Sequence, residues 1–266
     1  MEGELLNYET YGEGDPVLFL HGFGANNYTW SKIYPLIYGR KLILLELKGH
    51  GRSEKPLDGK YSVHDQAELV CSFIASHNLK NLVLVGHSFG GGVALVTALK
   101  LQSQGRHLRG LILIDSAGYR QKFPFFIGVL RIPLIGWLSS LLPAEFSIRQ
   151  VLEEAYFDNK KITPETINAY AGPLKLPGAD YALRQTALCL PPSDIDVLER
   201  SYSTIQAPTL LIWGREDKVV PLELGKRLNQ AIRGSELIVI DQCGHMPPEE
   251  WPELTAKLIS DFLTRL

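Results

Sequence analysis

The chain is short of cysteine. Its three, Cys71, Cys189 and Cys243, stand far apart, odd in number and without a C-x-x-C pair. That usage excludes a disulfide framework and fits reduced thiols in a cytoplasmic protein. Net charge is scarce too: 27 Lys and Arg against 29 Asp and Glu leave −2 over 266 residues. No basic surplus is there to hold nucleic acid or an anionic membrane surface. There is no H-E-x-x-H, no Cys/His cluster and no P-loop lysine pattern, and Gly22-Phe23-Gly24 does not continue into a dinucleotide fingerprint. Neither a metal nor a cofactor is therefore expected. Met1-Glu2-Gly3-Glu4 lacks the basic, then apolar start of a signal peptide. The longest apolar stretch, Phe123 to Leu142, has about the length of a membrane span, but Pro124, Arg131 and Pro133 interrupt it. No repeat or low-complexity segment occurs.

What is present is ordinary globular composition, 45% hydrophobic and 21% charged. The length suits one large domain, or a domain with an insert, whose core is stable without staples. Strands are expected at Asn7–Gly12, Pro16–Leu20, Lys41–Leu45, Leu82–Val85, Leu111–Asp115, Pro208–Gly214 and Leu237–Ile240. Most are short apolar runs that read as buried on both faces. Helical spacing lies between them: a short helix in Asn27–Ile37, a longer one capped by Ser62, and others at Val93–Leu99, Leu222–Ala231 and Trp251–Leu266. The alternation predicts a parallel sheet with helices on both faces. It breaks after Gly118, and no convincing strand follows until about Ser203. That stretch is expected to be a helical insert beyond the C-terminal end of a strand, where open sheets bind ligands.

The most informative stretch is Leu82-Val83-Leu84-Val85-Gly86-His87-Ser88-Phe89-Gly90-Gly91-Gly92. A buried strand runs into a helix through G-x-S-x-G, and glycine at both flanks lets strand and helix crowd together. Ser88 is pushed out at the tip of a strained turn, as a nucleophile needs. A serine hydroxyl also needs a base, and the base an acid to hold its tautomer. Of seven histidines, His21 and His87 sit inside glycine motifs and His50 in its own turn. His64, His77 and His107 lie in or next to helices, as solvated surface residues. His245 alone stands in a loop after the last strand, beside Gly244. Asp217, in Gly214-Arg215-Glu216-Asp217-Lys218, follows a strand and is the candidate acid. A turn carboxylate paired with Arg215 or Lys218 is the plainer alternative. Asp115 also ends a strand and is read as a structural residue that could substitute.

These motifs together closely resemble the α/β-hydrolase superfamily, in its esterase, lipase and C–C hydrolase branch. The resemblance rests on His21-Gly22-Phe23-Gly24, Gly49-His50-Gly51-Arg52-Ser53, Gly86-His87-Ser88-Phe89-Gly90-Gly91, Gly214-Arg215-Glu216-Asp217 with Val220-Pro221, and Gly244-His245, in the family's order. It implies an α/β-hydrolase fold with an eight-stranded, mostly parallel sheet and a cap inserted after the sixth strand. The core would be residues 1–118 and 204–266 and the cap residues 119–203. It implies Ser88 as nucleophile, His245 as general base and then acid, Asp217 as its orienter, and an oxyanion hole from the backbone N–H groups of Phe23 and Phe89. One departure is Glu46, where the family often has Asp.

The expected activity is that of a serine carboxylesterase acting on hydrophobic esters of short to medium acyl chain. The insert supplies Phe123, Phe125, Phe126, Ile127, Leu130, Ile132, Leu134, Ile135 and Trp137, readable as a pocket wall, as plain lid packing, or as a surface for a lipid interface. A C–C bond hydrolase of a ring-fission β-diketone would use the same triad. That branch typically carries Trp directly after the catalytic His, and here Met246 and Pro247 follow. A small-molecule receptor on the same fold is the non-enzymatic alternative. Chain length allows a monomer, and the apolar insert could equally pair two copies into a homodimer.

Overall fold

Four segments of the chain are buried at nearly every position: Val17–Leu20, Val83–His87, Gly110–Ile114 and Thr209–Gly214. Strands of this kind need cover on both faces, and a parallel sheet between helical layers provides it. The computed structural model describes residues 6–132 and 143–266. Its sheet has seven strands: β1 (Tyr8–Tyr11), β2 (Pro16–Leu20), β3 (Lys41–Leu45), β4 (Val83–His87), β5 (Gly110–Ile114), β6 (Thr209–Gly214) and β7 (Glu236–Ile240). They are ordered β1-β3-β2-β4-β5-β6-β7, with β1 antiparallel to β3 and every other pair parallel.

Alternation along the strands sorts the core into two layers. Leu18, Leu20, Leu84, Leu111, Leu113, Leu211 and Trp213 face one side, with α1 (Val63–Ser76) and α2 (Phe89–Ser103). Val17, Phe19, Val83, Val85, Ile112, Ile114, Leu210 and Ile212 face the other, with Trp30, Ile33 and the C-terminal helix. The chain passes from β3 across β2 to β4, so the loops leaving β2 and β4 diverge to opposite sides. The register pairs Leu20 with Gly86, which sets His21–Gly24 beside His87-Ser88 at this switch point.

Between β5 and β6 the described residues form five helices and no strand: α3 (Phe125–Arg131), α4 (Ala144–Ala155), α5 (Pro164–Leu174), α6 (Ala179–Leu188) and α7 (Ile195–Ser201). α8 (Leu222–Ala231), the short α9 (Pro247–Glu250) and α10 (Pro252–Arg265) follow. No helix among the described residues is long and apolar enough to cross a membrane.

Three expectations need correction. Among the described residues the sheet has seven strands rather than eight. The inserted helices accordingly follow the fifth of the described strands, where the sixth was expected. Asn27–Ile37 is not one helix but two short 3-10 turns, Asn27–Trp30 and Tyr34–Leu36, because Pro35 restarts the backbone at the head of the second. Of the apolar insert, Pro133, Leu134, Ile135 and Trp137 lie outside the described residues. The rest divides. Ile127 is buried, and the Phe126 ring lies 6.2 Å from that of Phe23, whereas Phe125 is 81% exposed.

Candidate active site

Ser88 sits between β4 and α2 with φ 53° and ψ −120°, a conformation that costs a non-glycine residue on the order of 1–3 kcal/mol. Neighbouring strands hold it there. Its N–H donates to the Ile114 carbonyl at 3.0 Å, and its own carbonyl accepts from the N–H groups of Gly91, Gly92 and Ala117. A Cβ on Gly86 would lie 2.5 Å from the Gly90 carbonyl, and one on Gly90 would collide with the carbonyls of Leu20 and His21. The glycine pair is therefore what allows strand and helix to meet at this angle.

The loop after β7 brings His245 over the sheet edge. Its Nε2 lies 2.8 Å from Ser88 Oγ and its Nδ1 2.8 Å from Asp217 Oδ2. Asp217 accepts two further hydrogen bonds at Oδ1, from the N–H groups of Val219 (2.7 Å) and Val220 (2.9 Å). This network assigns the proton to Nδ1 and leaves Nε2 as an acceptor for the serine hydroxyl. Asp217 is not spent on its neighbours: Arg215 pairs with Asp241, and Glu216 accepts the Cys243 N–H at 3.0 Å. The sheet thus brings Ser88, His245 and Asp217 together in one chain of hydrogen bonds.

The loop after β2 closes on the same point. A Cβ on Gly22 would stand 3.1 Å from Ser88 Cβ, so the Gly22–Phe23 peptide lies against the serine. His21 orients that peptide. Its Nε2 accepts the Leu47 N–H at 3.1 Å, which leaves Nδ1–H to donate to the Gly22 carbonyl at 2.8 Å. In a trans peptide this turns the Phe23 N–H the other way. The N–H groups of Phe23 and Phe89 have no acceptor among the described residues. Two unspent donors flanking a serine are the arrangement that stabilises a developing oxyanion.

A model of the alpha/beta hydrolase fold matches residues 15–252 of the chain. The chain belongs to the alpha/beta hydrolase family. This alpha/beta hydrolase is 30% identical, over 99% of its length and 96% of the relative's, to the uncharacterized hydrolase YugF of Bacillus subtilis. It is also 30% identical to a 2-hydroxymuconate semialdehyde hydrolase of Pseudomonas putida, over 98% of this chain and 91% of that one. Among solved structures it is similar to the meta-cleavage product hydrolase CumD of Pseudomonas fluorescens IP01. That match has a TM-score of 0.83 and 25% identity, over 98% of this chain and 94% of that one.

The other histidines of this alpha/beta hydrolase divide by burial. His21, His50 and His87 are buried, and burial lowers them from 6.5 to about 4, 3 and 3, so they are neutral near pH 7. His87 Nε2–H donates to the His245 carbonyl at 2.7 Å, which fixes the backbone at His245. His50 donates from Nδ1 to the Lys48 carbonyl and lies near the Phe23 and Phe89 rings. His77 is not simply solvated, since it stacks on Phe73 with centroids 4.0 Å apart. His64 meets Asp194 at 2.9 Å, and His107 is exposed. His87, Asp115 and His245 bring ligand-type atoms within 4.8 Å of one another, the one such group among the described residues. Three of their four ring nitrogens are already committed to hydrogen bonds.

Two positions that sequence reasoning passed over are Glu249 and Glu250. Glu250 accepts the N–H groups of Gly244 (2.8 Å), Phe157 (2.9 Å) and Asp158 (3.2 Å). Glu249 accepts the hydroxyls of Tyr156 (2.7 Å) and Tyr170. Their only signal in the sequence is nearness to His245. Glu46, the departure from the family pattern, fills the turn it precedes by accepting from Asn7 Nδ2 and the N–H groups of Asn27 and Arg52.

Proposed function

We propose that this alpha/beta hydrolase is a serine hydrolase that works through an acyl-enzyme, with hydrophobic carboxylic esters of short to medium acyl chain as its first substrate class. The observation that carries the reading is the unbroken chain Ser88 Oγ–His245 Nε2–His245 Nδ1–Asp217 Oδ2, with both contacts at 2.8 Å. Ser88 attacks the ester carbonyl while His245 takes its proton at Nε2. Asp217 stabilises the imidazolium that forms, and the oxyanion is held by the N–H groups of Phe23 and Phe89. His245 then protonates the departing alcohol. Water, deprotonated by His245, releases the acid and restores the serine. Residues 119–203 are read as a cap over this site, on a core of residues 1–118 and 204–266. The aromatic contact between Phe126 and Phe23 supports an apolar acyl pocket.

A second reading has a specific observation behind it: 30% identity, over nearly the whole chain, with a 2-hydroxymuconate semialdehyde hydrolase. A C–C hydrolase would use the same serine, histidine and aspartate, with a carbon leaving group that must be protonated. Hydrolysis of a nitrophenyl ester series from acetate to palmitate, beside a ring-fission dienone acid, separates the two. Saturable ester turnover that falls about 10⁴- to 10⁶-fold in Ser88→Ala establishes the esterase. Preference for the dienone acid, with the same loss in the variant, moves the reading to C–C cleavage. An alanine variant that keeps near-normal turnover removes Ser88 from the chemistry.

A further inference from the structure

Behind Asp217 lies a second carboxyl that the proposed reaction does not use. Asp115 follows β5 and is fully buried. Its backbone has φ 42°, a left-handed conformation that needs support from its surroundings. That support is visible, because its N–H donates to the Ile212 carbonyl at 3.0 Å. Oδ1 accepts the Gly214 N–H at 2.9 Å. Oδ2 is buried and has no partner that a bare carboxylate could use.

Each element packed around Asp115 presents a titratable group: His87 from β4, Asp217 from the loop after β6, and Cys243, His245 and Glu250 from the chain after β7. Of these, the Asp217 carboxylate is the charge that acts most strongly on Asp115. Two carboxylates cannot both stay charged in such a place. Asp217 accepts a histidine N–H and two backbone N–H groups, whereas Asp115 accepts one. The better-supplied carboxyl keeps the charge, and the proton goes to the other. Burial first, and the Asp217 charge second, push Asp115 well above the ordinary range.

We propose that Asp115 is a positioning residue: a neutral carboxylic acid whose Oδ2–H donates to the Asp217 carboxylate, so that two carboxyls in series hold the catalytic histidine. The proposal rests on the triad reading for its kinetic consequence, but not for the protonation itself. An oxygen with no available donor is then not an orphan but a donor.

Infrared difference spectra of wild type and Asp115→Asn near pH 7, in H₂O and D₂O, test the proton directly and need no turnover. The expected result is a protonated-carboxyl C=O band in wild type that shifts in D₂O and is missing in the variant. Absence of that band overturns the proposal, whatever the substrate is. Kinetics supply the second readout. Asparagine keeps a neutral N–H donor toward Asp217 and an acceptor for the Gly214 N–H. The acid limb of kcat/KM should therefore stay in place in Asp115→Asn. In Asp115→Val, Asp217 loses a donor, binds the imidazolium more strongly, and the limb should move up. Were Asp115 ionised, Asp115→Asn would delete a negative charge beside His245 and lower the limb by about a unit or more. That outcome also overturns the proposal.

Discussion

The loop that carries His245 is gripped from two sides, and each side uses a pair of buried carboxyls. On the sheet side stand Asp115 and Asp217, and on the side of the inserted helices Glu249 and Glu250. The pairs differ in how their oxygens are met. Both oxygens of Glu249 take a tyrosine hydroxyl, and both oxygens of Glu250 take backbone N–H or thiol donors. On the sheet side Asp217 is well supplied, while Asp115 Oδ2 has no donor. A fully donated carboxylate fixes geometry, and an under-donated one beside it becomes a place for a proton. Equal burial thus leaves every carboxyl oxygen supplied with a donor on one side and one oxygen without a donor on the other.

The comparison is broken most severely at Glu250. Glu250→Ala leaves the buried N–H of Gly244 without an acceptor, at about 1–3 kcal/mol, and the part-buried N–H of Phe157 at less. It also frees the backbone next to His245, and kcat should fall by up to about 100-fold. Urea unfolding together with kcat measured on the folded variant checks both. A variant that loses stability but keeps its kcat would show that the clamp serves the fold alone.

Glu249 sharpens the contrast through pH. Burial raises it from 4.5 to about 7 against the pull of its two tyrosine donors. The folded state therefore binds the proton more tightly than the unfolded chain. Its stabilising contribution is full below pH 4.5 and is lost as pH rises through about 7. The loss amounts to roughly 3 kcal/mol over that window. The buried His21, His50 and His87 act with the opposite sign: lowered imidazoles cost stability as pH falls below 6.5. Subtracting the pH dependence of Glu249→Gln from that of wild type isolates the glutamate. Unfolding free energies at pH 5 and pH 7.5 should converge between the two proteins at the lower pH and diverge at the higher. Parallel curves would mean that Glu249 is ionised throughout.

How much of this was legible beforehand follows from the range over which each signal acts. Buried strands, the glycine-flanked serine and the histidine after the last strand are local patterns, and Ser88, His245 and Asp217 lie, each with the next, within hydrogen-bonding distance. Asp217 was readable because it follows a strand. The clamp at Glu249 and Glu250 was not, because its meaning depends on Tyr156, Phe157 and Tyr170, some 80 to 90 residues away. The 3-10 turns at Asn27–Leu36 were missed for a different reason, since apolar spacing in so short a segment does not distinguish them from a helix. The eighth strand came from the resemblance, whereas the residues themselves point to the seven strands found among the described residues.

The smallest effect is expected at Phe23. Its assigned part is played by the backbone, so Phe23→Ala should keep kcat within about tenfold, against the 10² to 10³ that loss of an oxyanion donor costs. KM for long acyl chains should change more than kcat, since the ring is what meets Phe126. A collapse of kcat alone would mean that the side chain, and not the peptide that His21 holds, sets the oxyanion site.

The junction between His245 and the inserted helices bears on how such an enzyme can be rebuilt. The His245 N–H donates to the Ala155 carbonyl at 2.6 Å, and Gly244 fits only because it has no Cβ to strike that same carbonyl. The last turn of α4 is thus part of the scaffold under His245, though by sequence it belongs to the insert. Transplanting the variable helices of a relative at the strand ends would carry this turn away. A graft that preserves turnover has its downstream seam before Ala155, so the exchangeable module is shorter than the interruption in the strand pattern suggests.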